Sequence, residues 1–315
     1  MSETPARDVF YTGRDGLSLH VRDHGERTSP WLPVVCLPGL TRTHRDFEAL
    51  ARSLASDQER PRRIAAFDYR GRGRSGWDRD GAGYNPVRET DDILDGMASL
   101  GIARAVVIGT SRGGIIGMIM GLLKPASVAA LILNDVGPEL EARGLARIKA
   151  YVGATPLPND WADAARIQKR LHGGAFPAWS EDDWLDFAHQ TYAEADGRPV
   201  RDYDPILAST LSGIDFDRPI PTLWDEFHSL KGLPIMAIRG ANSDLLSEAT
   251  LAAMRDAHPG LVEVTVADEG HPPALRGADL LGRIAAFIAT VEGDGPPADA
   301  IVPRPPREVS PGEER

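Results

Sequence analysis

The feature that most constrains the fold of this chain is the pentapeptide Gly-Thr-Ser-Arg-Gly at residues 109–113. It follows the apolar run of residues 105–108 and precedes the apolar stretch of residues 115–123. Ser111 therefore lies where a predicted strand turns into a predicted helix, and the flanking glycines leave room that a Cβ would fill. Such a corner, the nucleophile elbow, projects the serine hydroxyl outward at the N-terminus of the helix.

A serine hydroxyl is a weak nucleophile at neutral pH, so the chain must also supply a base and a carboxylate that orients it. His271 is the candidate base because it lies in a loop directly after a late predicted strand. Two aspartates are candidates for the carboxylate, since Asp135 and Asp244 each follow a buried, apolar strand. The chain order is then serine, aspartate, histidine.

Two further motifs lie earlier in the chain. Residues 38–40, Pro-Gly-Leu, follow the apolar run at residues 33–37, and residues 68–75 read Asp-x-Arg-Gly-x-Gly-x-Ser. Together with the nucleophile elbow and the order of the three candidate residues, these motifs resemble the α/β-hydrolase fold family. The resemblance is to its capped serine-hydrolase branch and covers roughly residues 8–292.

The resemblance implies a mostly parallel central sheet with helices on both faces and an inserted helical cap. Strand and helix patterns alternate up to Asn134, and the strand pattern then vanishes until Leu233. We therefore predict a core, a cap and a proline-rich disordered tail. The core comprises residues 1–136 and 231–292, the cap residues 137–230, and the tail residues 293–315.

The resemblance also implies roles for single residues. Ser111 is the expected nucleophile and His271 the expected general base. Asp244 is the preferred acid because the loop after the later strand is its commonest location in this fold, and Asp135 is the family's known alternative. The backbone N–H groups of Leu40 and Arg112 are expected to form the oxyanion hole, although Pro38 replaces the histidine that usually precedes the glycine.

Two local patterns could suggest other chemistry. The spacing Gly-x-Gly-x-x-Gly at residues 71–76 is typical of a dinucleotide-binding turn, but no helix is predicted before Pro86 to hold a pyrophosphate. We therefore predict that the protein binds no cofactor. We also predict no metal, since the histidine, cysteine and acidic residues do not show the spacing of a metal-binding motif. The Arg112 side chain could recognise an acidic substrate, but a structural ion pair is the preferred interpretation.

Composition excludes several classes of partner. The formal net charge of −11 over 315 residues disfavours nucleic acid, and the longest apolar stretch is far too short to span a membrane. No secretion signal is evident, so a cytoplasmic location is expected. Residues 139–230 contain 16 acidic and 9 basic side chains, which disfavours strongly anionic substrates. The sequence indicates no oligomeric state.

The resulting functional hypothesis is hydrolysis of small carboxylic esters through an acyl-enzyme. Lactone opening and hydrolysis of carbon–carbon bonds use the same three residues in related enzymes and stay open as alternatives. A serine at the elbow disfavours dehalogenase and epoxide hydrolase chemistry, which uses a carboxylate there. A non-catalytic binding module or a cofactor-free enzyme on the same fold is the alternative from another class.

Overall fold

The central sheet has eight strands in the computed structural model, which describes residues 6–293 and residue 295. The strands of these residues are β1 (Ala6–Thr12), β2 (Ser18–His24), β3 (Val34–Leu37), β4 (Ile64–Asp68), β5 (Ala105–Thr110), β6 (Val128–Asn134), β7 (Tyr192–Ala195), β8 (Arg198–Arg201), β9 (Ile235–Gly240) and β10 (Val262–Val266). The sheet order is β1-β2-β4-β3-β5-β6-β9-β10. Strand β2 pairs antiparallel with β1 and β4, and the other pairs are parallel.

The α-helices of the described residues are α1 (Glu48–Ala55), α2 (Pro86–Ser99), α3 (Arg112–Leu123), α4 (Ala142–Tyr151), α5 (Trp161–His172), α6 (Glu181–Thr191), α7 (Trp224–Ser229), α8 (Glu248–Ala257) and α9 (Ala278–Glu292). Short 3-10 turns occupy His44–Phe47, Pro125–Ser127, Gly173–Ala175 and Pro205–Leu211. Within the described part of the chain, none of the helices has both the length and the apolar character that crossing a bilayer requires.

Both faces of the sheet are covered by helices. Successive side chains of a strand point to opposite faces, so Val107 packs on the face covered by α2, α3 and α8. Its neighbours Val106 and Ile108 pack on the opposite face, beneath α1 and α9. Every residue of β5 and β6 is buried, as expected for central parallel strands. The predicted α/β-hydrolase architecture of the sheet is confirmed.

Helix α2 begins where its sequence predicts. The Asn85 side chain accepts a hydrogen bond from the Arg88 N–H at 2.9 Å, and Pro86 occupies the first turn, where no N–H is needed. Residues 71–85 form an irregular segment with turns, bends and one isolated β-bridge at Arg72, and they contain no helix. The glycine pattern at residues 71–76 therefore does not open a helix, as a dinucleotide-binding turn would.

The segment between β6 and β9, here called the inserted segment (residues 137–230), contains α4 to α7 and also the antiparallel pair β7 and β8. The expectation that strands are missing from this interval is wrong at this hairpin. Asp196 and Gly197 both have positive φ, 51° and 73°, which matches the right-handed twist of a two-residue hairpin turn. The predicted tail, apart from residues 293 and 295, lies outside the described residues.

A buried carboxylate connects three segments near the carboxyl edge of the sheet. Asp68, the last residue of β4, lies 2.8 Å from His20 Nδ1 and 2.9 Å from His44 Nδ1, and it accepts the backbone N–H groups of His44 and Arg74. Burial raises the pKa of Asp68, but the hydrogen bonds and electrostatic interactions with His20 and His44 together lower it by more, so the net pKa lies below its usual value. Asp68 is therefore ionised in the folded protein at neutral pH.

We predict that Asp68→Asn lowers the free energy of unfolding by about 3 kcal/mol at pH 7, because four donors lose a charged acceptor. A depressed carboxyl pKa stabilises the fold above the unfolded value of about 3.9 and loses that effect as the pH falls below it. The difference between the two proteins should therefore shrink below about pH 4. Urea unfolding from pH 3 to pH 8 measures it.

The matched control is Asp186→Asn, at an exposed position of α6. This change should shift the unfolding free energy by about 0.5 kcal/mol or less. If the Asp68 variant is as stable as the wild type at pH 7, the carboxylate does not hold these segments together.

Candidate active site

Ser111 lies in the corner between β5 and α3 with φ 53° and ψ −114°, a backbone conformation that costs a side-chain-bearing residue about 1–3 kcal/mol. The two flanking glycines make this corner possible. A Cβ on Gly109 would lie 2.3 Å from the Gly113 carbonyl oxygen, and one on Gly113 would lie 2.0 Å from the Leu37 carbonyl oxygen. The close approach of α3 to the sheet thus requires glycine at both positions.

His271 lies beside the Ser111 hydroxyl. Its Nε2 is 3.0 Å from Ser111 Oγ, and its Nδ1 is 2.8 Å from Asp135 Oδ2. Both His271 and Asp135 are buried. The three side chains therefore form a continuous hydrogen-bonded row, in which a buried carboxylate orients the ring and leaves Nε2 facing the hydroxyl.

The preferred acid, Asp244, is not the carboxylate that contacts His271. Asp244 instead forms a two-point ion pair with Arg147 of α4, at 2.6 and 2.8 Å. Partial burial raises the pKa of Asp244, but the hydrogen bond from Arg147 and the electrostatic interactions with Arg147 and His271 together lower it by more, so the net pKa lies below its usual value. The place predicted for Asp244 is occupied by the alternative, Asp135.

The physical reason is that β6 and β9 are neighbours, so the loops after both strands meet at one edge of the sheet. Asp135 follows β6 directly, and its carboxylate accepts the Gly240 N–H at 2.8 Å and the Ser243 hydroxyl at 2.5 Å. These donors come from the last residue of β9 and from the loop after it, which carries Asp244. The later loop thus holds Asp135 in place, while its own aspartate pairs with the inserted segment.

The loop that carries His271 is anchored on both sides. Glu269 accepts the Ala274 N–H at 2.7 Å and the Trp179 indole N–H at 3.3 Å, and the Pro273 carbonyl accepts from Asn134 at 3.0 Å. Burial raises the pKa of Glu269, and the hydrogen bonds from Ala274 and Trp179 lower it. The effect of burial is larger, so the net pKa lies above its usual value. Residues before and after His271 are therefore tied to the sheet and to the inserted segment.

The two residues expected to supply oxyanion donors are Leu40 and Arg112, and they lie on different segments near Ser111. Arg112 is the first residue of α3, where backbone N–H groups have no partner within the helix. Leu40 lines the cleft together with Ser111 and His271. The Pro38 carbonyl, in the position of the usual histidine, accepts a hydrogen bond from the Tyr69 hydroxyl at 3.2 Å.

A buried network, which the sequence did not predict, connects Leu40 with Arg112. Arg72 Nε donates to the Leu40 carbonyl at 2.7 Å, and Arg72 Nη1 donates to Glu89 at 2.7 Å. The other oxygen of Glu89 accepts from Arg112 Nε at 2.8 Å. The Arg112 side chain thus forms the structural ion pair that its sequence context favours. One fully buried carboxylate holds both segments.

Aromatic side chains of the inserted segment line the cleft, among them Phe176, Trp179, Trp184 and Phe187. His172 also lines it, and burial together with the positive charges of Arg147 and Arg42 lowers the pKa of this histidine to about 3. It is therefore uncharged at neutral pH. An apolar wall with a few placed polar groups is typical of a small-molecule site.

Among the described residues, His20, His44 and Asp68 bring metal-ligand atoms together within 4.8 Å. Their ring nitrogens already face the carboxylate at hydrogen-bond distance, and backbone N–H groups occupy the carboxylate as well. These hydrogen bonds account for the cluster as a structural one. Cys36 is buried in β3, and burial raises the pKa of its thiol, which disfavours the reactive thiolate.

Residues 34–283 match the model of the alpha/beta hydrolase family. The chain is similar to a 3-hydroxybutyrate-oligomer hydrolase of Cupriavidus necator, with 33% identity over 82% of this chain and 89% of that protein. It is 27% identical to a 2-(acetamidomethylene)succinate hydrolase of Mesorhizobium japonicum, over 86% and 92% of the two chains. A solved alpha/beta hydrolase from Novosphingobium aromaticivorans superposes with a TM-score of 0.79 at 35% identity, covering 91% and 99%.

We predict that Glu89→Gln lowers the kcat for p-nitrophenyl acetate by about 10- to 100-fold while KM changes less, because both proposed oxyanion donors lose a shared support. Steady-state kinetics gives the two constants, and a thermal melt reports folding. The control is Glu26→Gln, at an exposed carboxylate. A folded Glu89 variant with unchanged kcat would show that the network does not act on the reaction.

Proposed function

The chain belongs to the alpha/beta hydrolase family, and we propose that it is a serine hydrolase that cleaves carboxylic esters through an acyl-enzyme. The observation that carries this proposal is the chain of hydrogen bonds from Asp135 through His271 to Ser111. His271 Nδ1 lies 2.8 Å from Asp135 Oδ2, and His271 Nε2 lies 3.0 Å from Ser111 Oγ. A histidine that is oriented by a buried carboxylate and faces a serine hydroxyl is the arrangement that activates serine as a nucleophile.

In the proposed first step, His271 Nε2 accepts the Ser111 proton as the serine oxygen attacks the ester carbonyl carbon. Asp135 accepts a hydrogen bond from the His271 Nδ1–H and stabilises the imidazolium that forms. The Leu40 and Arg112 N–H groups donate to the oxyanion, each contributing about 3 kcal/mol. His271 then protonates the departing alcohol, and a water molecule activated by the same histidine hydrolyses the acyl-enzyme.

We propose short hydroxyacid oligomers as the substrate class, and the similarity to the Cupriavidus necator enzyme supports this choice. Each repeat of such an oligomer contains an ester and a short aliphatic chain, which suits a cleft with apolar and aromatic walls. The inserted segment, residues 137–230, is proposed to act as the cap, since its aromatic residues border the same cleft as Ser111.

We predict that a fluorophosphonate probe labels the wild-type protein and that Ser111→Ala abolishes both the label and esterase activity. Loss of the nucleophile should lower kcat about 10⁵- to 10⁶-fold. Mass spectrometry of the adduct and p-nitrophenyl butyrate hydrolysis measure the two effects. Ser99→Ala, at an exposed serine of α2, should leave both unchanged.

A wild-type protein that resists the probe and cleaves no ester would favour the binding-module alternative. A labelled protein that opens lactones or cleaves carbon–carbon bonds but not esters would contradict the proposed reaction while leaving the three residues in their roles. The first result would contradict the proposed catalytic site, and the second would contradict only the proposed substrate class.

We predict that Asp135→Asn lowers kcat about 10⁴-fold, because the amide no longer holds the correct tautomer of His271. Asp244→Asn breaks only the pair with Arg147, so its kcat should fall less than about tenfold. Kinetics of both variants with one ester, beside thermal melts, provides the comparison. The reverse order of effects would show that Asp244 is the acid.

A further inference from the structure

The charge of the cleft is opposite to that of the whole chain. Among the described residues that line the cleft, three are arginines, at positions 42, 201 and 276, and one is acidic, Asp46. The chain as a whole has a formal net charge of −11. The acidic excess of residues 139–230, which disfavours anionic substrates when read from composition, therefore does not describe the surface that a substrate contacts.

Two of the three arginines already have carboxylate partners. Arg42 donates to Asp46 from Nε at 2.9 Å and also stacks on the Phe187 ring at 4.4 Å. Arg276 pairs with Asp183 at 2.8 Å and lies over the Trp179 ring at 4.5 Å. Their charges are balanced, and their side chains are held in place by aromatic rings.

Arg201, the last residue of β8, has a different environment. Its Nη2 donates to the Thr155 carbonyl at 3.1 Å, and its guanidinium lies 5.5 Å from the centre of the Tyr203 ring. Its chain neighbour Asp202 pairs with Arg45 instead, and among the described residues Arg201 forms no ion pair with an acidic side chain. A half-buried guanidinium whose charge is unbalanced offers its remaining donors to an anion that enters the cleft.

We propose that Arg201 is a specificity-determining residue that binds a free carboxylate of the substrate while Ser111 attacks an ester of the same molecule. A planar guanidinium presents paired donors that match the two oxygens of a carboxylate. This inference rests on the proposed function, and it narrows the substrate class to esters that also carry a carboxylate, such as hydroxyacid oligomers with a free acid end.

The position of Arg201 explains how such a substrate would be oriented. Arg201 belongs to the inserted segment and Ser111 to the core, and both line one cleft. A substrate held by its carboxylate at Arg201 extends between the two parts of the chain. Substrates that lack the carboxylate lose this contact and retain the apolar ones.

The test uses mono-p-nitrophenyl esters of dicarboxylic acids of graded length, each beside its methyl ester. For at least one chain length, the wild type should hydrolyse the substrate with the free carboxylate with a kcat/KM about 10- to 100-fold above that of its methyl ester, mainly because KM is lower. Arg201→Gln should reduce this ratio to about one. The matched control is Arg198→Gln, an exposed arginine of the same strand, which should keep the ratio.

A thermal melt accompanies each variant. Arg201→Lys keeps the charge but loses the paired donors, so it should give an intermediate ratio. The wild-type protein alone supplies a second test, in which a dicarboxylate should inhibit hydrolysis of a neutral ester more strongly than its diamide does. High salt should weaken that inhibition.

The inference is overturned if the wild type hydrolyses the methyl esters with the same kcat/KM as the free acids. It is also overturned if a folded Arg201→Gln variant keeps the preference for the free acids. Equal inhibition by the dicarboxylate and its diamide would also overturn it. Failure of the proposed function looks different, because the wild type would then hydrolyse neither series and Ser111 would resist the fluorophosphonate probe.

Discussion

The close approach of α3 to the sheet at Gly113 is the constraint on which the rest of the site depends. The Leu37 carbonyl oxygen lies so near that a Cβ at Gly113 would be 2.0 Å away from it. The chain therefore turns at once after β5, Ser111 takes a left-handed φ, and its hydroxyl projects at the carboxyl edge of the sheet. His271 and Asp135 reach the serine because their loops end at the same edge.

Buried carboxylates hold the loops along this edge. Asp68 joins the first hairpin to the loop after β3, Glu89 joins Arg72 to Arg112, and Asp135 accepts donors from the end of β9 and the loop after it. A buried carboxylate must find several donors or lose its charge, so each one draws together segments that are far apart in the chain. The proposed active site is organised by these charges as much as by apolar packing.

Local patterns predicted the sheet, its helices, Ser111 and His271, because each depends on residues within one strand and the turn that follows it. The sequence preference for Asp244 over Asp135 does not match the contact that His271 makes, because two neighbouring strands end side by side and Arg147, from a distant helix, pairs with Asp244. The Asp-Gly pair at residues 196–197 is a hairpin signal in the sequence, and it accounts for the β7–β8 strand pair inside an interval that otherwise has a helical pattern. No local pattern places Arg201 in the cleft, since its neighbours there come from the folding of the inserted segment.

A crystal structure of the protein with Ser111 phosphonylated tests the central claim most directly. The account predicts a phosphonyl oxygen about 2.7–3.1 Å from both the Leu40 and the Arg112 backbone nitrogens, with His271 still paired to Asp135. A phosphonyl oxygen that contacts neither nitrogen, or a His271 ring that pairs with Asp244, would contradict it.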